Sequence, residues 1–572
     1  MKRSKMALRF RNIDIISTSW LGRIPVISGA HGAFVILRGP PMRVYLETFG
    51  CQMNELDSEL VRGQLTALGY RFVETDADAQ VVLYNTCSVR ELAEQKALSR
   101  VGTVGVRKRA GEDLILGVLG CMAERDGVDL LRRHPQVDLL CGPSDLDRLP
   151  QLIDNVRRAR AASEAHGAVA ERPSRAVALA GNRSRRSSTL AAAEDGLESL
   201  DLSRAFDPSA RETPWSAYVR ITRGCNKFCT YCVVPYTRGA EVHRPPEHIV
   251  DECRRLADAG ALEITLLGQT VNHYRYTHGT AVTVDGRAAP QVGPGLRAFR
   301  DAPAAVVDTT TFADLLFRIH EAVPSVARLR FVTSYPRDFG VDVLQVMRDC
   351  PRICRYLHAP AQSGSDAVLA RMNRGYTVGE YEAFVWRVFE HLPDATLAGD
   401  LIVGFPGETD ADFEATCDLV RRLPFKNNFI FKYSPRPGTV AIDRFADDVP
   451  DEVKRWRNNA LLAVQSETSA RVHAAWVGRT VDVLFDGVRA HAASPARTAG
   501  AVAVRVGGRA VDGPVGGASE RWQAVGRTKG DLIVAVDRPD GPSARELPGT
   551  VREVRLTASR PLLLAGTIVS DE

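Results

Sequence analysis

The feature that most constrains the fold of this chain is a repeated order of apolar strand, cysteine and helical pattern. Residues 44–46, 81–84 and 114–119 are typical of short strands, and an amphipathic helix over 57–68 that ends at Gly69 follows the first of them. Alternating strands and helices pack as a parallel sheet with helices on both faces. The sequence therefore predicts an α/β fold whose first domain, residues 42–158, is Rossmann-like.

Each of these three strands ends close to a cysteine, namely Cys51, Cys87 and Cys121. Ligands of open α/β sheets lie at the carboxyl ends of the strands, so these cysteines can meet in space. The alternative is three buried thiols, because free cysteine is often buried. The polar residues and glycines beside each cysteine favour a shared site.

The alternation resumes over residues 214–448. Candidate strands lie at 217–221, 263–267, 328–333, 356–358, 396–403 and 428–432. Six strands with helices between them predict a partial (β/α)6 barrel of the TIM type, and the sites of such barrels lie at the carboxyl ends of the strands.

A second cysteine group follows the first barrel strand in the spacing Cys225-x3-Cys229-x2-Cys232. Three thiolates on one loop repel one another unless a metal cation neutralises them. Structural zinc requires four protein ligands, and the nearest further candidate is His243. A 4Fe–4S cluster normally takes four thiolates, so with three of them one iron keeps an open position for a substrate or cofactor. The spacing favours iron–sulfur over zinc.

The composition of the 572 residues excludes several classes of protein. Eleven cysteines are too sparse for a small secreted disulfide scaffold. The net charge of +5 permits a nucleic-acid partner without requiring one. The longest apolar run near the start is shorter than the roughly 20 residues of a membrane-spanning helix, so we expect no membrane partner.

Residues 1–41 form a basic extension, with seven Lys or Arg against one acid, Asp14. This composition is typical of a transit peptide, of a disordered extension, or of sequence upstream of a start at Met42. We expect disorder here and a cytoplasmic location.

The remaining segments connect or follow the two α/β domains. Residues 159–213 are rich in Ala, Arg and Ser and predict a linker or insertion, and 275–310 predict a surface insertion. Residues 449–475 predict a helical connector. Candidate strands at 480–485, 501–506, 532–536 and 551–556 predict a small β-barrel over 476–568, which either binds nucleic acid or caps the structure.

The barrel and its cysteine loop resemble the radical S-adenosylmethionine enzymes. The resemblance implies a 4Fe–4S cluster whose open iron binds S-adenosylmethionine, which one-electron reduction then cleaves. Tyr231 matches the aromatic residue that packs near the adenine, although it could simply fill the barrel mouth. Gly268 and Gln269 after the second strand, and Gly404 and Gly407 after the fifth, are the implied cofactor contacts, because glycine lets a backbone approach a ligand closely.

Two cysteine trios in one chain resemble the methylthiotransferases, which insert sulfur into an unactivated C–H bond and then methylate it. Residues 48–54, 85–91 and 231–239 are similar to the form that modifies tRNA, the tRNA-2-methylthio-N6-dimethylallyladenosine synthase family. The β-rich tail, which contains Gly526-Arg527-Thr528, resembles the TRAM domain, a tRNA-binding barrel.

This resemblance implies two 4Fe–4S clusters and a radical that abstracts hydrogen from C2 of N6-isopentenyladenosine next to the tRNA anticodon. Cys225, Cys229 and Cys232 would hold the radical-generating cluster. Cys51, Cys87 and Cys121 would hold an auxiliary cluster that presents sulfur, and a second S-adenosylmethionine would supply the methyl group. The implied partners are the anticodon stem-loop of tRNA and a one-electron reductant, with the enzyme a monomer.

Two alternatives stay open at this point. The same reaction could act on a threonylcarbamoyl-adenosine of tRNA or on a ribosomal-protein aspartate. The chain could instead be a non-catalytic RNA-binding protein with structural metal.

Overall fold

The computed structural model describes residues 42–165, 175–179, 198, 200–201, 204, 211, 213–278, 283–284, 287–288, 291–292, 309–491, 521–538 and 540–569. The predicted basic extension and the predicted strand at 501–506 lie outside these residues. Within them, no helix is long and apolar enough to cross a membrane.

The first domain is a six-stranded parallel sheet in the order β2-β1-β3-β4-β5-β6. Its strands are β1 (Arg43–Phe49), β2 (Arg71–Phe72), β3 (Val81–Thr86), β4 (Ile115–Gly120), β5 (Leu139–Cys141) and β6 (Ala176–Ala178). Its helices are α1 (Gln52–Ala67), α2 (Glu91–Arg109), α3 (Cys121–Asp126), α4 (Val128–Arg133) and α5 (Leu149–Ala165). Every residue of β3 and β4 is buried, as expected for central strands covered on both faces.

The structure departs from the sequence prediction at β6. A linker was expected throughout 159–213, but residues 176–178 pair in parallel with β5 and α5 extends to Ala165. The run is short and alanine-rich, so its strand character comes from pairing with the edge of the sheet rather than from side-chain propensity.

The second domain is an open arc of six parallel strands. Its strands and those of the inserted hairpins are β7 (Ser216–Arg220), β8 (Thr222–Arg223), β9 (Val242–His243), β10 (Glu263–Leu267), β11 (Arg275–Thr277), β12 (Thr283–Val284), β13 (Arg287–Ala288), β14 (Gln291–Val292), β15 (Thr309–Thr311), β16 (Arg328–Phe331), β17 (Tyr356–His358), β18 (Thr396–Val403) and β19 (Phe425–Lys432). The arc runs β7-β10-β16 and then β17-β18-β19. A parallel bridge between Leu329 and Ile353 joins the two halves.

Helices connect the strands of this arc, and most of them cover its outer face. They are α6 (Val234–Thr237), α7 (Pro246–Asp258), α8 (Phe312–Ala322), α9 (Val341–Asp349), α10 (Asp366–Arg371), α11 (Val378–His391), α12 (Asp410–Arg422), α13 (Val440–Arg444) and α14 (Asp451–Ala474). The largest apolar core lies between these helices and the strands. The predicted α/β class and partial barrel are thus confirmed.

A small closed barrel follows α14, in the order β20-β21-β22-β24-β23. Its elements are β20 (Thr480–His491), β21 (Arg521–Thr528), β22 (Ile533–Arg538), α15 (Gly541–Arg545), β23 (Val551–Arg560) and β24 (Leu563–Ile568). Arg330 Nη2 of the larger barrel donates to Thr528 O at 2.7 Å, and Lys426 Nζ donates to Asp531 Oδ2 at 2.6 Å. A loop of the small barrel therefore packs against the amino-terminal end of the larger barrel.

Candidate functional site

The three N-terminal cysteines lie where β1, β3 and β4 end. These strands are neighbours in the parallel sheet, so their carboxyl ends are adjacent. Cys51 caps the start of α1, Cys87 follows β3 directly, and Cys121 begins α3. An ideal Cβ on Gly50 would lie only 2.8 Å from the Cβ of Cys87, so glycine permits the close approach of the first two loops.

A buried polar network ties the same strand ends together. Asn85 Nδ2 donates to Asn54 O at 2.8 Å and to Ser58 Oγ at 2.9 Å. Asn54 Nδ2 donates to Asn85 Oδ1 at 3.1 Å and to Thr86 O at 3.2 Å. Thr86 Oγ1 in turn donates to Leu119 O at 2.6 Å. The network therefore fixes the three cysteine-bearing loops relative to one another.

The three thiols of this trio influence one another's ionisation. The hydrogen bond from Cys87 lowers the pKa of Cys51 to about 6, and the same bond raises the pKa of Cys87 well above its usual range. Burial raises the pKa of Cys121, and the Arg238 guanidinium opposes this. The protein alone therefore favours one thiolate here, and a bound cation is needed to stabilise three.

One loop after β8 carries the three barrel cysteines, which are Cys225, Cys229 and Cys232. The loop depends on left-handed backbone at Gly224, with φ of +68°, and at Phe228, with φ of 51°. An ideal Cβ at Gly224 would lie 1.9 Å from Ala240 O, so only glycine fits there. Thr230 N donates to Met372 O at 3.0 Å, which anchors the loop to the end of α10.

In the barrel trio Cys229 is buried, whereas Cys225 and Cys232 are half-buried, and an arginine contacts the trio. Burial raises the pKa of Cys225 to about 12, and it also raises the pKa of Cys232, which Arg374 opposes. Arg374 Nη1 donates to Cys229 Sγ at 3.4 Å. Thiols that resist ionisation alone become thiolates when they bind metal, so metal binding here releases protons.

The donor chemistry of both trios fits an iron–sulfur cluster. Soft thiolate ligands select iron–sulfur clusters or zinc, and a 4Fe–4S cluster binds each thiolate through a different iron. Among the described residues, no three His, Cys, Asp or Glu side chains are arranged to hold a single metal ion. His243, the nearest candidate for a fourth zinc ligand, has Nε2 3.0 Å from Glu241 Oε1 and Nδ1 2.6 Å from Arg275 O.

Three of the five predicted cofactor contacts, Tyr231, Gly268 and Gln269, lie on the loops that follow β8 and β10. The Tyr231 ring meets the Phe405 ring edge-on, with centroids 6.5 Å apart. Gly268 follows β10, and an ideal Cβ there would lie 2.3 Å from Thr222 Cγ2, so the two strand ends pack closely. Gln269 beside it is partly exposed. Contact of these residues with a cofactor stays a prediction.

The other two predicted contacts, Gly404 and Gly407, follow β18 with left-handed φ of +71° and +74°. Side chains of the protein occupy the space beside both. An ideal Cβ would lie 2.3 Å from Lys454 Cγ at Gly404 and 2.8 Å from Arg371 Nη1 at Gly407. Glycine is thus already required at both positions by the packing of this loop.

The sequence reasoning missed a buried charged network beside the barrel trio. Lys227 Nζ lies 2.6 Å from Asp338 Oδ2 and 2.5 Å from His273 Nε2. His273 Nδ1 lies 3.5 Å from Glu241 Oε1. Lys227 alone could have been noticed in the sequence, because it stands between two cysteines of the loop. Asp338 is 111 residues away, so tertiary structure alone brings it here.

Comparisons with known proteins agree with this geometry. Residues 43–142 match the model of the uncharacterized protein family UPF0004, and residues 219–420 match that of the Radical SAM superfamily. A relative from Rhodopirellula baltica is 44% identical over 78% of this chain and 83% of its own length. One from Burkholderia mallei is 36% identical over 92% of this chain and 97% of its own length. Both are named tRNA-2-methylthio-N(6)-dimethylallyladenosine synthase.

Among solved structures, the radical S-adenosylmethionine methyltransferase TsrM from Kitasatospora setae matches with a TM-score of 0.46 and 14% identity. The match covers 70% of this chain and 77% of that one.

The partial barrel with its three-cysteine loop, together with the superfamily match, defines a radical S-adenosylmethionine protein. The relatives narrow this class: the chain belongs to the tRNA-2-methylthio-N(6)-dimethylallyladenosine synthase family, which confirms the resemblance found in the sequence.

Proposed function

We propose that this protein is a radical S-adenosylmethionine methylthiotransferase that converts N6-isopentenyladenosine next to the tRNA anticodon to its 2-methylthio derivative. The observation that carries the proposal is the presence of two separate cysteine trios, one at the ends of three neighbouring parallel strands and the other on a single loop after β8. One site to generate a radical and another to supply sulfur are what this reaction needs.

Cys225, Cys229 and Cys232 hold the first cluster in this proposal. With S-adenosylmethionine bound, that group supplies hydrogen-atom abstraction, while the protein orients the reactants and excludes water. Arg374 donates to one of the three sulfurs and compensates part of their negative charge. Tyr231, Gly268, Gln269, Gly404 and Gly407 line the cofactor position.

Cys51, Cys87 and Cys121 hold the second cluster, which supplies the sulfur to be inserted. The Asn54–Asn85 network keeps their loops in register, so the three sulfurs stay aimed at one place. A second S-adenosylmethionine supplies the methyl group.

The C-terminal barrel binds the tRNA. Its strands β20 and β23 expose the basic side chains of Arg489, Arg552, Arg555 and Arg560. Phosphate contacts of this kind make binding of the anticodon stem-loop weaken as salt rises, because bound counterions are released. We place the reaction in the cytoplasm, with the enzyme a monomer that receives single electrons from a separate reductant.

Nucleoside analysis of a strain that lacks the gene tests this function. We expect its tRNA to contain N6-isopentenyladenosine without the 2-methylthio group, and the wild-type gene to restore that group. Loss of a methylthio group from threonylcarbamoyl-adenosine, or from a ribosomal-protein aspartate, would contradict the proposed substrate. An assay of the purified protein distinguishes an enzyme from a non-catalytic RNA-binding protein with structural metal. Only the enzyme forms 5′-deoxyadenosine with dithionite and S-adenosylmethionine.

Two variants test which cysteine trio holds which cluster. C229A is expected to abolish 5′-deoxyadenosine formation, because it removes a ligand of the first cluster. C87A is expected to keep 5′-deoxyadenosine formation and to lose sulfur insertion. Sulfur insertion by C87A would refute the role given to the N-terminal trio.

A further inference from the structure

Arg238 follows the barrel cysteine loop in the chain and contacts the N-terminal domain. It follows α6, which packs against α3, the helix that Cys121 begins. The carbonyl oxygen of the next residue, Gly239, accepts a hydrogen bond from Cys225 N at 3.1 Å. Two consecutive residues of the barrel domain thus reach both trios, one through its side chain and the other through its backbone.

The side chain of Arg238 is buried against the N-terminal domain, with 6% of its surface exposed. Its Nη2 donates to Asp57 Oδ2 at 2.7 Å. Asp57 is 1% exposed and lies on α1, the helix that Cys51 caps. The other oxygen of this carboxylate has no hydrogen-bond partner among the described residues. Arg238 is therefore the group that compensates the buried charge of Asp57.

The guanidinium also acts on the thiols of the N-terminal trio. Its side chain hydrogen-bonds Asp57 and acts electrostatically on Cys121 and Cys51, and an arginine side chain stays protonated in proteins. The arginine therefore stays charged within the interface between the two domains. A buried cation that is hydrogen-bonded on one side and faces thiolates on the other has a fixed orientation.

We propose that Arg238 is a positioning residue for the auxiliary cluster: it sets the charge around Cys51 and Cys121. Through Gly239 it also ties their loops to the loop that carries Cys225, Cys229 and Cys232, here called the radical loop. This inference rests on the proposed function, because it requires a cluster on the N-terminal trio.

The expected consequence is a change in the redox behaviour of that cluster. The reduction potential of an iron–sulfur cluster follows its net charge and the hydrogen bonds to its sulfurs. A buried positive charge favours the reduced, more negative cluster. R238Q removes that charge and leaves the Asp57 carboxylate unpaired beside the site, so the potential shifts to more negative values.

The test isolates the auxiliary cluster in the full-length C225A/C229A/C232A protein, reconstituted with iron and sulfide without oxygen. Iron content and a redox titration followed by EPR are measured for R238Q, R238K, D57N and R238Q/D57N in this background. R204Q is the matched control, because Arg204 Nη1 also makes a buried ion pair, with Glu252 Oε1 at 2.8 Å, and its Nη2 bridges the barrel domain to Glu59 of α1.

We expect R238Q to shift the midpoint potential to more negative values and D57N to shift it to more positive ones. The double variant should fall between these two, since it removes both charges. R204Q should leave the potential unchanged. If R238Q assembles no cluster, R238K should restore assembly, because it keeps the charge.

An R238Q protein with full iron and an unchanged potential would overturn the inference, as would R238K failing to rescue a lost cluster. If the C225A/C229A/C232A background binds no iron at all, the proposed function fails instead, so the two failures are distinguishable.

Discussion

At the scale of single residues, the radical loop depends on backbone that only glycine adopts easily. Gly224 has φ of +68°, and its Cα faces Ala240 O so closely that a Cβ would lie 1.9 Å from that oxygen. Cys225 is the next residue and donates from its backbone nitrogen to Gly239 O at 3.1 Å. The position of the first cluster ligand therefore follows from the absence of a side chain at the residue before it.

Gly224→Ala is expected to displace this loop. Left-handed backbone costs a non-glycine residue about 1–3 kcal/mol, and the clash adds to that, so occupancy of the intact loop falls roughly tenfold or more. Formation of 5′-deoxyadenosine should fall in proportion, while iron on the N-terminal trio stays. The matched control is Gly260→Ala, since Gly260 has φ of +87° and nothing within 4 Å. Equal losses in both variants would contradict the clash argument.

The placement of the cysteines at the ends of strands could be predicted from sequence, whereas the charged residues that contact them could not. Spacing and position after a strand are local patterns, so they indicated all six cysteines. Arg238 and Asp57 are 181 residues apart in the chain, and nothing near either residue signals the pair. Arg374 and Cys229 are 145 residues apart and pose the same difficulty.

At the scale of secondary-structure elements, side-chain amides join the end of β3 to α1, the helix after β1, and the Thr86 hydroxyl joins β3 to β4. Asn85 uses both hydrogens of its amide group, on Asn54 O and Ser58 Oγ, and its oxygen accepts from Asn54 Nδ2. Such a network is worth most when every member is satisfied, because an unpaired buried polar group is costly. The position of α1 relative to the end of β3 thus depends on Asn85.

Asn85→Asp tests this alignment with almost no change of shape. The new carboxylate would face Asn54 O without a hydrogen to donate, so the free energy of unfolding should fall by about 1–3 kcal/mol. Iron bound by the N-terminal trio should fall in the C225A/C229A/C232A background. Thr103→Ala, which removes an exposed hydroxyl bonded within α2, serves as control in urea unfolding. Full iron and unchanged stability in the aspartate variant would contradict this role.

Strand positions were predicted well where the apolar pattern is strong. The strands at 263–267, 356–358 and 396–403 have the predicted bounds. The pattern at 139–141 and 176–178 is too short to separate from a loop, and these two short strands form because they pair with their neighbours in the sheet. In the small barrel, the strand Leu563–Ile568 was missed, because it contains a glycine and its apolar and polar residues do not alternate regularly.

At the scale of the whole molecule, the small barrel is held to the larger one by buried charge. Lys426 Nζ lies 2.6 Å from Asp531 Oδ2 at their junction. Burial opposes the charge of Asp531, but Lys426, Arg330 and Arg527 hold its pKa below the usual range. Its contribution to stability is therefore complete above about pH 4 and is lost as the pH falls through the lower pKa of the folded state.

Asp531→Asn is expected to loosen this junction. Removing one partner of a buried ion pair costs about 3–5 kcal/mol, because the other charge is left uncompensated. Hydrogen exchange should rise in β21 and β22, and affinity for the anticodon stem-loop should fall, while 5′-deoxyadenosine formation without tRNA is kept. Asp537→Asn is the control, since Asp537 is exposed and its side chain accepts a hydrogen bond from the Gln523 amide. Equal exchange in both variants would contradict the docking role.

The proposed function requires two independent clusters in one chain. Iron and sulfide content, read with EPR, should be measured on anaerobically reconstituted wild type and on the C51A/C87A/C121A and C225A/C229A/C232A proteins. We predict that each triple variant keeps roughly half of the wild-type iron and one 4Fe–4S signal. Zinc in place of iron, or the full wild-type iron content in either triple variant, would contradict the assignment.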